Sequence, residues 1–361
     1  MKKAIVIIFA AMLCLLAASY YFDPGRRATL RALQEKGKQT TKDIMLSSQS
    51  VTSIACDRRE LMWIGTSAGV NVYDGKNFVQ FGYDIKDTTA LPDDYINVLH
   101  LDKAGRMWVG TQNGLARYVG AYRFHRIALP DDHDNIVAIE DSREKDDSMA
   151  VLVSATFKDH GDNLWVGYRN SVFQVISQNL IAYKKANDNP LTKATKGMAM
   201  LCMAAVGNHL LAGTALRVFI YDLQNRRIGQ TPFRNIFDSV PAPQKINLNN
   251  IVMYDDEHAW MVSGHQVASC RISDECADVL HKSPVLKSLL GYGLKVGDAL
   301  YVCSEGGKLL RFRFDNLQPD TIPIPSAYYD HETKMEKLAD GNILLFMQGM
   351  HLAILSPKTG K

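Results

Sequence analysis

MWIGTSAGVNVYDGKNF, at residues 62–78, returns in near copy as MWVGTQNGLARYVGAYRF at residues 107–124. Each copy follows an alternating apolar segment and a turn, and in the second copy twelve residues separate Ile96 from Trp108. The same interval recurs along the chain and ends each time on an aromatic or a large apolar residue. The residues at these equivalent positions are Trp63, Trp108, Trp165, Leu211, Trp260, Tyr301 and Leu344. All four tryptophans of the chain therefore occupy one position of one repeat.

The repeat is about 45 residues long and contains several short alternating segments separated by glycine-rich turns. This length and pattern are typical of a propeller blade, a small sheet of four antiparallel strands. The copies predict an all-β protein, a single seven-bladed β-propeller over residues 41–361. An irregular β-sandwich, the alternative, would not place four tryptophans in register.

The ends of the repeat region indicate how the ring closes. The last copy stops after its third strand, whereas TKDIMLSS at residues 41–48 comes immediately before the first strand of the first copy. We expect this N-terminal strand to supply the missing fourth strand of the last blade. Such pairing removes an exposed sheet edge, which otherwise invites aggregation.

Glycines accompany the tryptophans. In three copies a glycine stands two residues after the tryptophan, at Gly65, Gly110 and Gly167. Glycine inside a strand indicates that another part of the chain approaches closely. We expect these glycines near the narrow inner part of the ring, and the tryptophans in the space between neighbouring blades.

The N-terminus has the layout of an export signal. Lys2 and Lys3 precede an uncharged apolar run, residues 4–18, and Ala17-Ala18-Ser19 offers small residues for cleavage. The pattern predicts a signal peptide over residues 1–19. An uncleaved anchor over residues 4–22 is the alternative, because that stretch is about long enough to span a bilayer. Residues 20–40 are expected to form a linker, with helical character after Asp23-Pro24.

Composition narrows the class further. The 361 residues are 47% hydrophobic and 22% charged, as in folded globular proteins. The net charge of +3 sits largely in residues 24–43, outside the repeats, so we expect no nucleic-acid partner. Cleavage would remove Cys14 and leave five cysteines, an odd number that argues against a disulfide framework. Cys270 and Cys276 form either one bridge or two free thiols.

Three segments carry a family resemblance. They are LMWIGTSAGVNVYDGKNFVQF at residues 61–81, DTTALPDDYI at residues 87–96 and DKAGRMWVGTQNGLARY at residues 102–118. Together they resemble the two-component regulator propeller repeat. The resemblance implies the periplasmic sensor propeller of a hybrid two-component system from a polysaccharide-utilising Gram-negative bacterium. The kinase modules of such systems are absent from this chain.

The resemblance leads to a functional prediction. We expect a periplasmic ligand-recognition propeller that binds a glycan or oligosaccharide. It would be exported, and held at the inner membrane only if residues 4–22 stay uncleaved. A stand-alone scaffold for protein–protein interaction is the alternative, and a propeller lyase or hydrolase is a third reading. A protein partner or a homodimer is compatible with either of the first two.

Candidate binding residues follow from the repeat, because the turn after each Gly-Thr position is expected on one face of the ring. The side chains there are polar and varied, which suits an asymmetric ligand rich in hydroxyl groups. They are Gln112, Asn113, Arg169, Asn170, Arg217, His265, Glu305 and Gln348. Tyr95, Tyr168 and Tyr292 are expected to border the same mouth. Solvated turn residues are the alternative reading of the whole set.

Motifs for catalysis and cofactors are missing from the sequence. No nucleophile elbow, zinc-protease motif or phosphate loop occurs, so we expect neither an enzyme nor a cofactor. Asp131, Asp132, His133 and Asp134 lie in an acidic insertion that lacks the spacing of a calcium loop. A solvated insertion without a metal is therefore predicted.

Overall fold

The computed structural model shows a ring of antiparallel sheets. The residues that it describes are 46–102, 104–127, 129–130, 136–137, 151–153, 163–168, 171–176, 181–182, 190–198, 200–239, 248–324, 329, 331–347 and 351–357. The predicted signal segment and linker, residues 1–40, lie outside this part of the chain. Within it, no helix combines the length and the apolar character needed to cross a membrane.

The first three blades each contain four strands that pair in chain order. Blade 1 is β1 (Val51–Cys56), β2 (Met62–Thr66), β3 (Gly69–Tyr73) and β4 (Phe78–Phe81). Blade 2 is β5 (Ile96–Leu101), β6 (Met107–Thr111), β7 (Gly114–Gly120) and β8 (Arg123–Ile127). A two-stranded ribbon follows, β9 (Leu129–Pro130) and β10 (Ile136–Val137). Blade 3 is β11 (Val151–Val153), β12 (Asn163–Tyr168), β13 (Ser171–Ile176) and β14 (Ile181–Ala182).

Three further four-stranded blades complete the set. Blade 4 is β15 (Met200–Val206), β16 (His209–Thr214), β17 (Arg217–Asp222) and β18 (Ile228–Pro232), flanked by short helices α1 (Pro190–Thr195) and α2 (Phe233–Ile236). Blade 5 is β19 (Leu248–Met253), β20 (His258–Ser263), β21 (Val267–Ile272) and β22 (Ala277–Lys282). Blade 6 is β23 (Leu290–Val296), β24 (Ala299–Ser304), β25 (Lys308–Arg313) and β26 (Asp320–Pro323).

The prediction of a seven-bladed propeller closed by an N-terminal strand is wrong. The described residues form six four-stranded blades, followed by a three-stranded sheet of β27 (Lys334–Lys337), β28 (Ile343–Met347) and β29 (His351–Leu355). The described end of the expected closing segment, residues 46–48, forms no strand. Hydrogen bonds explain this, because Ser47 N donates to Asn71 Oδ1 (2.9 Å) and Ser48 Oγ contacts Ser67 Oγ (2.8 Å). The segment is thus tied to blade 1.

Side-chain packing closes the ring instead. The first strand of each sheet packs against the first strand of the next, and β27 of the three-stranded sheet packs against β1. Leu46, Ile54 and Ile64 form one apolar cluster with Phe346 of β28 at this junction. The innermost strands therefore surround a common axis, and burial of apolar surface holds the last sheet to the first blade.

The tryptophans occupy the space between blades, as the repeat predicts. Three of them contact an aromatic residue in the third strand of the following blade or directly after it. These pairs are Trp63–Tyr118 (ring centroids 5.0 Å apart), Trp165–Tyr221 (5.8 Å) and Trp260–Phe314 (5.5 Å). Edge-to-face aromatic contacts of this kind add to the gain from burial alone.

Two glycines of the repeat confirm the expected close approach. A Cβ atom on Gly65 would lie 2.6 Å from Cγ2 of Ile96, the first residue of the next blade. A Cβ atom on Gly213, at the equivalent place in blade 4, would lie 2.5 Å from Cδ2 of Leu248. Both neighbours are buried, so neither can move aside easily.

We expect Gly65→Ala to lower the free energy of unfolding by about 1 to 3 kcal/mol, because the new methyl group overpacks the junction of blades 1 and 2. Thermal unfolding followed by circular dichroism measures the change. Gly264→Ala is the matched control, since no atom lies within 4 Å of a Cβ at that position and its φ is ordinary. Equal losses in the two variants would contradict the packing explanation.

A carboxyl group lies where the three-stranded sheet meets blade 1. Burial raises the pKa of Glu336 in β27 to about 7, although the backbone N–H of Cys56 acts in the opposite direction. Because this pKa lies above the ordinary 4.5, the folded protein holds the proton more tightly than the unfolded chain. The contribution of Glu336 to stability therefore falls as the pH rises from about 4.5 to about 7.

We expect Glu336→Gln to unfold at a higher temperature than the wild type at pH 8 and at the same temperature at pH 4. Glutamine keeps an acceptor for the Cys56 N–H and cannot ionise. Melting temperatures of both proteins from pH 4 to pH 8 test this. Parallel curves over that range would show that Glu336 does not ionise at a buried position.

Candidate functional site

The ring has two faces that differ in the turns they carry. We call the upper face the end of the ring that holds the turn between the second and third strands of each blade. The innermost strand of each blade also begins at this end. The lower face holds the turns between first and second strands and between third and fourth strands. Residues predicted to bind ligand lie in upper-face turns or at their edges, because antiparallel strands reverse direction at alternate ends.

A hydroxyl group fixes the upper-face turn in several blades. The last residue of the second strand is threonine or serine, and its hydroxyl donates to the carbonyl at the start of the third strand. These bonds are Thr66–Gly69 (2.9 Å), Thr111–Gly114 (2.8 Å), Thr214–Arg217 (3.0 Å) and Ser263–Gln266 (2.9 Å). The threonine of the Gly-Thr motif is therefore a turn-forming residue, and its neighbours are held in place.

Gln112 and Asn113 belong to one connected group on the upper face. Asn113 Nδ2 donates to Asp93 Oδ2 (3.0 Å), and Asp93 Oδ1 accepts a bond from Tyr95 N (2.7 Å). Gln112 N donates to Tyr95 O (2.9 Å). The Tyr95 side chain is 41% exposed. The turn of blade 2 and the approach to β5 therefore form a preorganised patch, the Tyr95 patch, made of Asp93, Tyr95, Gln112 and Asn113.

Three other residues predicted to bind ligand have polar contacts within their own blade or with the connection between two blades. Arg217 Nη1 donates to Gln230 Oε1 (2.7 Å) in the adjacent strand. His265 is buried, and its Nδ1 lies 3.2 Å from the carbonyl oxygen of Leu286. Glu305 Oε2 accepts a bond from Leu289 N (3.3 Å). In the described residues, none of these bonds joins one predicted ligand residue to another.

The remaining predicted positions fall outside the described residues. They are Arg169, Asn170 and Gln348, together with Asp131, Asp132, His133 and Asp134 of the acidic insertion and the side chain of Tyr168. Tyr292 is described and 52% exposed, and the Lys334 ammonium lies 5.0 Å from its ring centroid. Tyr95 thus lies in the approach to the upper-face end of β5, whereas Tyr292 lies inside the innermost strand β23.

The lower face carries two cavities that the sequence did not predict. One, of about 410 Å³, lies between blades 1 and 2, and the other, of about 570 Å³, lies between blades 5 and 6. They occupy equivalent positions, because each is lined by the first turn of one blade and by the first and last turns of the next. A periodic feature of the sequence marks the first cavity: an aspartate stands six residues before Trp63 and Trp108.

Each of these aspartates accepts a hydrogen bond from the indole N–H of the tryptophan six residues later. Asp57 Oδ2 accepts a bond from Trp63 Nε1 (3.2 Å), and Asp102 Oδ2 accepts one from Trp108 Nε1 (2.9 Å). Arg106 Nε also donates to Asp102 Oδ2 (2.5 Å). Burial alone would raise the pKa of Asp102, but the bonds from Trp108 and Arg106 outweigh burial and hold this pKa below its ordinary value of 3.8.

We expect Asp102→Asn to lower the free energy of unfolding by about 2 kcal/mol at pH 7, because the Arg106 and Trp108 donors lose a charged acceptor. A lowered pKa stabilises the fold above pH 3.8 and loses that effect as the pH falls through the folded value. The difference in the free energy of unfolding between Asp102→Asn and the wild type should therefore become smaller at acidic pH. Urea unfolding at several pH values measures it.

Asp320→Asn is the matched control, because Asp320 pairs with Arg311 on the surface, where ion pairs contribute little. A loss from Asp102→Asn no larger than that of the control, or one independent of pH, would contradict the role given to Asp102.

The described residues contain no group of three or more histidine, cysteine or acidic side chains arranged to hold a metal ion. Burial lowers the pKa of His100 to about 4 and raises that of Glu336, but these groups lie in different sheets, β5 and β27. Asp94 Oδ1 accepts a hydrogen bond from Tyr83 N (2.6 Å) and stabilises the segment that connects blade 1 to blade 2.

The structure shows whether Cys270 and Cys276 form a disulfide bridge. Cys270 and Cys276 are free thiols, as are Cys56, Cys202 and Cys303. Cys276 Sγ donates to Asp278 Oδ1 (3.2 Å), whereas Cys270 is buried in blade 5. In the described part of the chain the fold is held by packing and hydrogen bonds.

Known structures share this fold. The extracellular domain of BT3049 from B. thetaiotaomicron, described as a hybrid two component system, aligns with a TM-score of 0.62 at 15% identity, covering 88% of this chain. The chain spans only 41% of that protein's length. YCF48 from Cyanidioschyzon merolae aligns with a TM-score of 0.57 at 10% identity, covering 89% of this chain and all of its own. The WD40 β-propeller domain of Doa1 gives 0.57 at 11% identity, covering 90% and 98%.

At such identities the similarity shows the fold alone. No curated protein matches the chain significantly in sequence. The two component regulator propeller family, however, matches residues 45–68 and 90–113. These segments include β1, β2, β5 and β6 with their tryptophans and Gly-Thr turns. The family predicted from the repeat is therefore confirmed: blades 1 and 2 of this chain contain two component regulator propeller repeats.

Proposed function

We propose that this protein is an exported recognition propeller that binds an oligosaccharide at its upper face and serves as the sensor part of a signalling system. The Tyr95 patch is the observation that carries the proposal. Its exposed tyrosine, two amide residues and one carboxylate are connected before a ligand arrives, because Asn113 Nδ2 binds Asp93 Oδ2 and hydrogen bonds hold the backbones of Tyr95 and Gln112.

The chemistry of the patch suits a sugar. A pyranose ring presents an apolar C–H face that packs on an aromatic ring, and hydroxyl groups around its edge that need donors and acceptors. Tyr95 supplies the apolar surface, while Gln112, Asn113 and Asp93 supply both kinds of hydrogen-bonding group. Tyr292, in the innermost strand of blade 6, offers a second exposed ring for a longer chain of sugars.

The repeat family supports the sensing role, and the predicted signal segment supports export to the periplasm. On this proposal residues 1–19 are removed, or residues 4–22 keep the propeller at the inner membrane. The ligand would report the presence of a polysaccharide breakdown product. Catalysis is not part of the proposal, because the described residues place no paired acid and base beside the patch.

Tyr95→Ala should weaken oligosaccharide binding at least tenfold, whereas Tyr95→Phe should keep most of the affinity because the ring remains. Thermal shift against neutral and acidic oligosaccharides identifies the ligand, since a ligand of the folded state raises the melting temperature. Calorimetric titration of the wild type and variants then gives Kd. Leu352→Ala, an exposed apolar change in β29, is the control and should leave Kd unchanged.

Two results would contradict the proposal. If no oligosaccharide shifts the melting temperature of the folded protein, glycan binding is wrong. If a glycan binds the wild type and Tyr95→Ala equally well, the Tyr95 patch is not its site.

A protein-interaction scaffold is the second candidate, and a specific observation favours it. Leu216, in the upper-face turn of blade 4, is 72% exposed, and Leu289 beside β23 is partly exposed. Apolar residues on a ring face fit the surface of another protein, including a second copy of this chain. Analytical ultracentrifugation of the wild type and Leu216→Ser distinguishes a homodimer through this face from a monomer.

A further inference from the structure

The lower-face cavity between blades 5 and 6 has the size of a small-molecule site. Its volume of about 570 Å³ lies within the range of ligand pockets, about 300 to 1,000 Å³. Its lining comes mainly from the first turn of blade 5 and from the first and last turns of blade 6. We call it the Tyr254 cavity. It lies on the opposite face from the Tyr95 patch, so the inference does not depend on the proposed oligosaccharide site.

The Tyr254 cavity forms where the repeat departs from its own pattern. Six residues before Trp63 and Trp108 stands an aspartate that accepts a hydrogen bond from the indole N–H. In blade 5 the same position holds Tyr254, and the buried indole N–H of Trp260 has no acceptor among the described residues. An aspartate that helps to build blades 1 and 2 is therefore replaced, in blade 5, by an aromatic side chain that lines a cavity.

Stacked rings form one wall of the Tyr254 cavity. The ring centroids of Tyr254 and Phe314 lie 4.2 Å apart with an interplanar angle of 15°. Trp260 meets both rings edge-to-face, at 5.0 Å from Tyr254 and 5.5 Å from Phe314. Lys295 Nζ lies 5.2 Å from the Tyr254 ring centroid and donates a hydrogen bond to Tyr254 O. These contacts hold Tyr254 in place, so the wall is a rigid apolar surface on which a ligand can pack.

Charged groups of both signs line the rest of the cavity. Arg311 is one of them, and its Nη2 donates to Asp320 Oδ2 (2.8 Å) in the adjacent strand. Arg313, Asp298 and Asp315 also line the cavity, and all three residues are exposed. Among the described residues, no ion pair or hydrogen bond involves the side chains of these three. The cavity therefore offers a ligand one guanidinium group and two carboxylates.

The blade 5 side of the cavity adds further acidic groups. Asp255, Asp256 and Glu257 follow Tyr254 in the same turn, although they do not line the cavity. Asp255 Oδ1 is bound to His258 Nδ1 (2.8 Å). The negative charge on this side disfavours a ligand that is only an anion, and Arg313 disfavours one that is only a cation. A ligand that carries both charges suits the cavity best.

The equivalent cavity between blades 1 and 2 provides an internal comparison. Its lining carboxylate, Asp57, accepts hydrogen bonds from Arg59 N (2.8 Å), Leu61 N (3.0 Å) and Trp63 Nε1 (3.2 Å). That carboxylate therefore serves the fold. Propeller geometry alone produces a cavity at both places, whereas the exposed carboxylates beside an exposed guanidinium group belong to the Tyr254 cavity.

We propose that the Tyr254 cavity binds a zwitterion of the short-peptide class, with a free α-ammonium group and a free α-carboxylate. Arg313 donates charge-assisted hydrogen bonds to the carboxylate, and Asp298 and Asp315 accept them from the ammonium group. An apolar side chain of the peptide packs on the wall formed by Tyr254 and Phe314. The Tyr254 cavity is thus a second recognition site, on the face opposite the Tyr95 patch.

Free and blocked forms of one dipeptide test the proposal. Alanyl-phenylalanine carries both charges, its N-acetyl form lacks the positive charge, and its C-terminal amide lacks the negative charge. Calorimetric titration of the folded protein should show saturable binding of the free dipeptide at one site. Each blocked form should bind about tenfold more weakly, because one set of charge-assisted contacts is lost.

Variants of the lining assign each charge to its partner. Arg313→Gln should weaken binding of the free dipeptide about tenfold and leave binding of the amide unchanged, because the amide has no carboxylate for Arg313. The double variant Asp298→Asn, Asp315→Asn should weaken the free dipeptide and leave the N-acetyl form unchanged. Arg227→Gln is the matched control, since Arg227 is an exposed arginine in a lower-face turn of blade 4, and it should change no affinity. Melting temperatures check that all variants are folded.

Three outcomes would overturn the inference. They are the absence of saturable binding of the free dipeptide, equal affinities for the free and blocked forms, and equal effects of Arg313→Gln and Arg227→Gln. The first denies a peptide site, the second denies recognition of a zwitterion, and the third denies the location. An oligosaccharide that binds the Tyr95 patch should not displace the dipeptide, which separates the two proposals.

Discussion

The packing between neighbouring blades is the interaction on which this structure depends. A sheet inside a propeller is covered on both faces, so it must present apolar surface to the blade before it and to the blade after it. The repeated tryptophan meets that need, because it reaches an aromatic residue of the next blade while Gly65 or Gly213 lets the next innermost strand approach. Four-stranded sheets that would be marginal alone become stable when stacked around a ring.

The residues that make the family recognisable are mainly those that build the ring. Asp102 holds the indole of Trp108, and Thr111 closes the turn beyond it. Such residues say little about what the protein binds. In the proposed function, recognition depends on side chains carried by these fixed turns, such as Tyr95 and Gln112 on the upper face. A rigid scaffold with variable loops is a common arrangement for binding proteins.

The junction of the three-stranded sheet with blade 1 differs from the others. No fourth strand pairs with β29 within the described residues, and closure relies on the apolar cluster of Leu46, Ile54, Ile64 and Phe346. Glu336 lies at the same junction, where its buried carboxyl group favours the neutral form. The three-stranded sheet also packs against blade 6, through β23 and β27, and the remaining junctions join two four-stranded blades.

The sequence alone determined the all-β class, the propeller architecture, the register of the repeat and the inter-blade position of the tryptophans, because all of these follow from local periodicity and residue size. It misjudged the closure, since whether Ser47 and Ser48 extend a distant sheet edge or bond to blade 1 depends on competing contacts between segments remote in the chain. It placed Gln112 and Asn113 in a turn, which is half-buried in the structure, but counted His265 among ligand residues, although tertiary packing buries it. The sequence could not predict the cavity between blades 1 and 2, because two turns 45 residues apart in sequence meet there only when blade 1 stacks on blade 2.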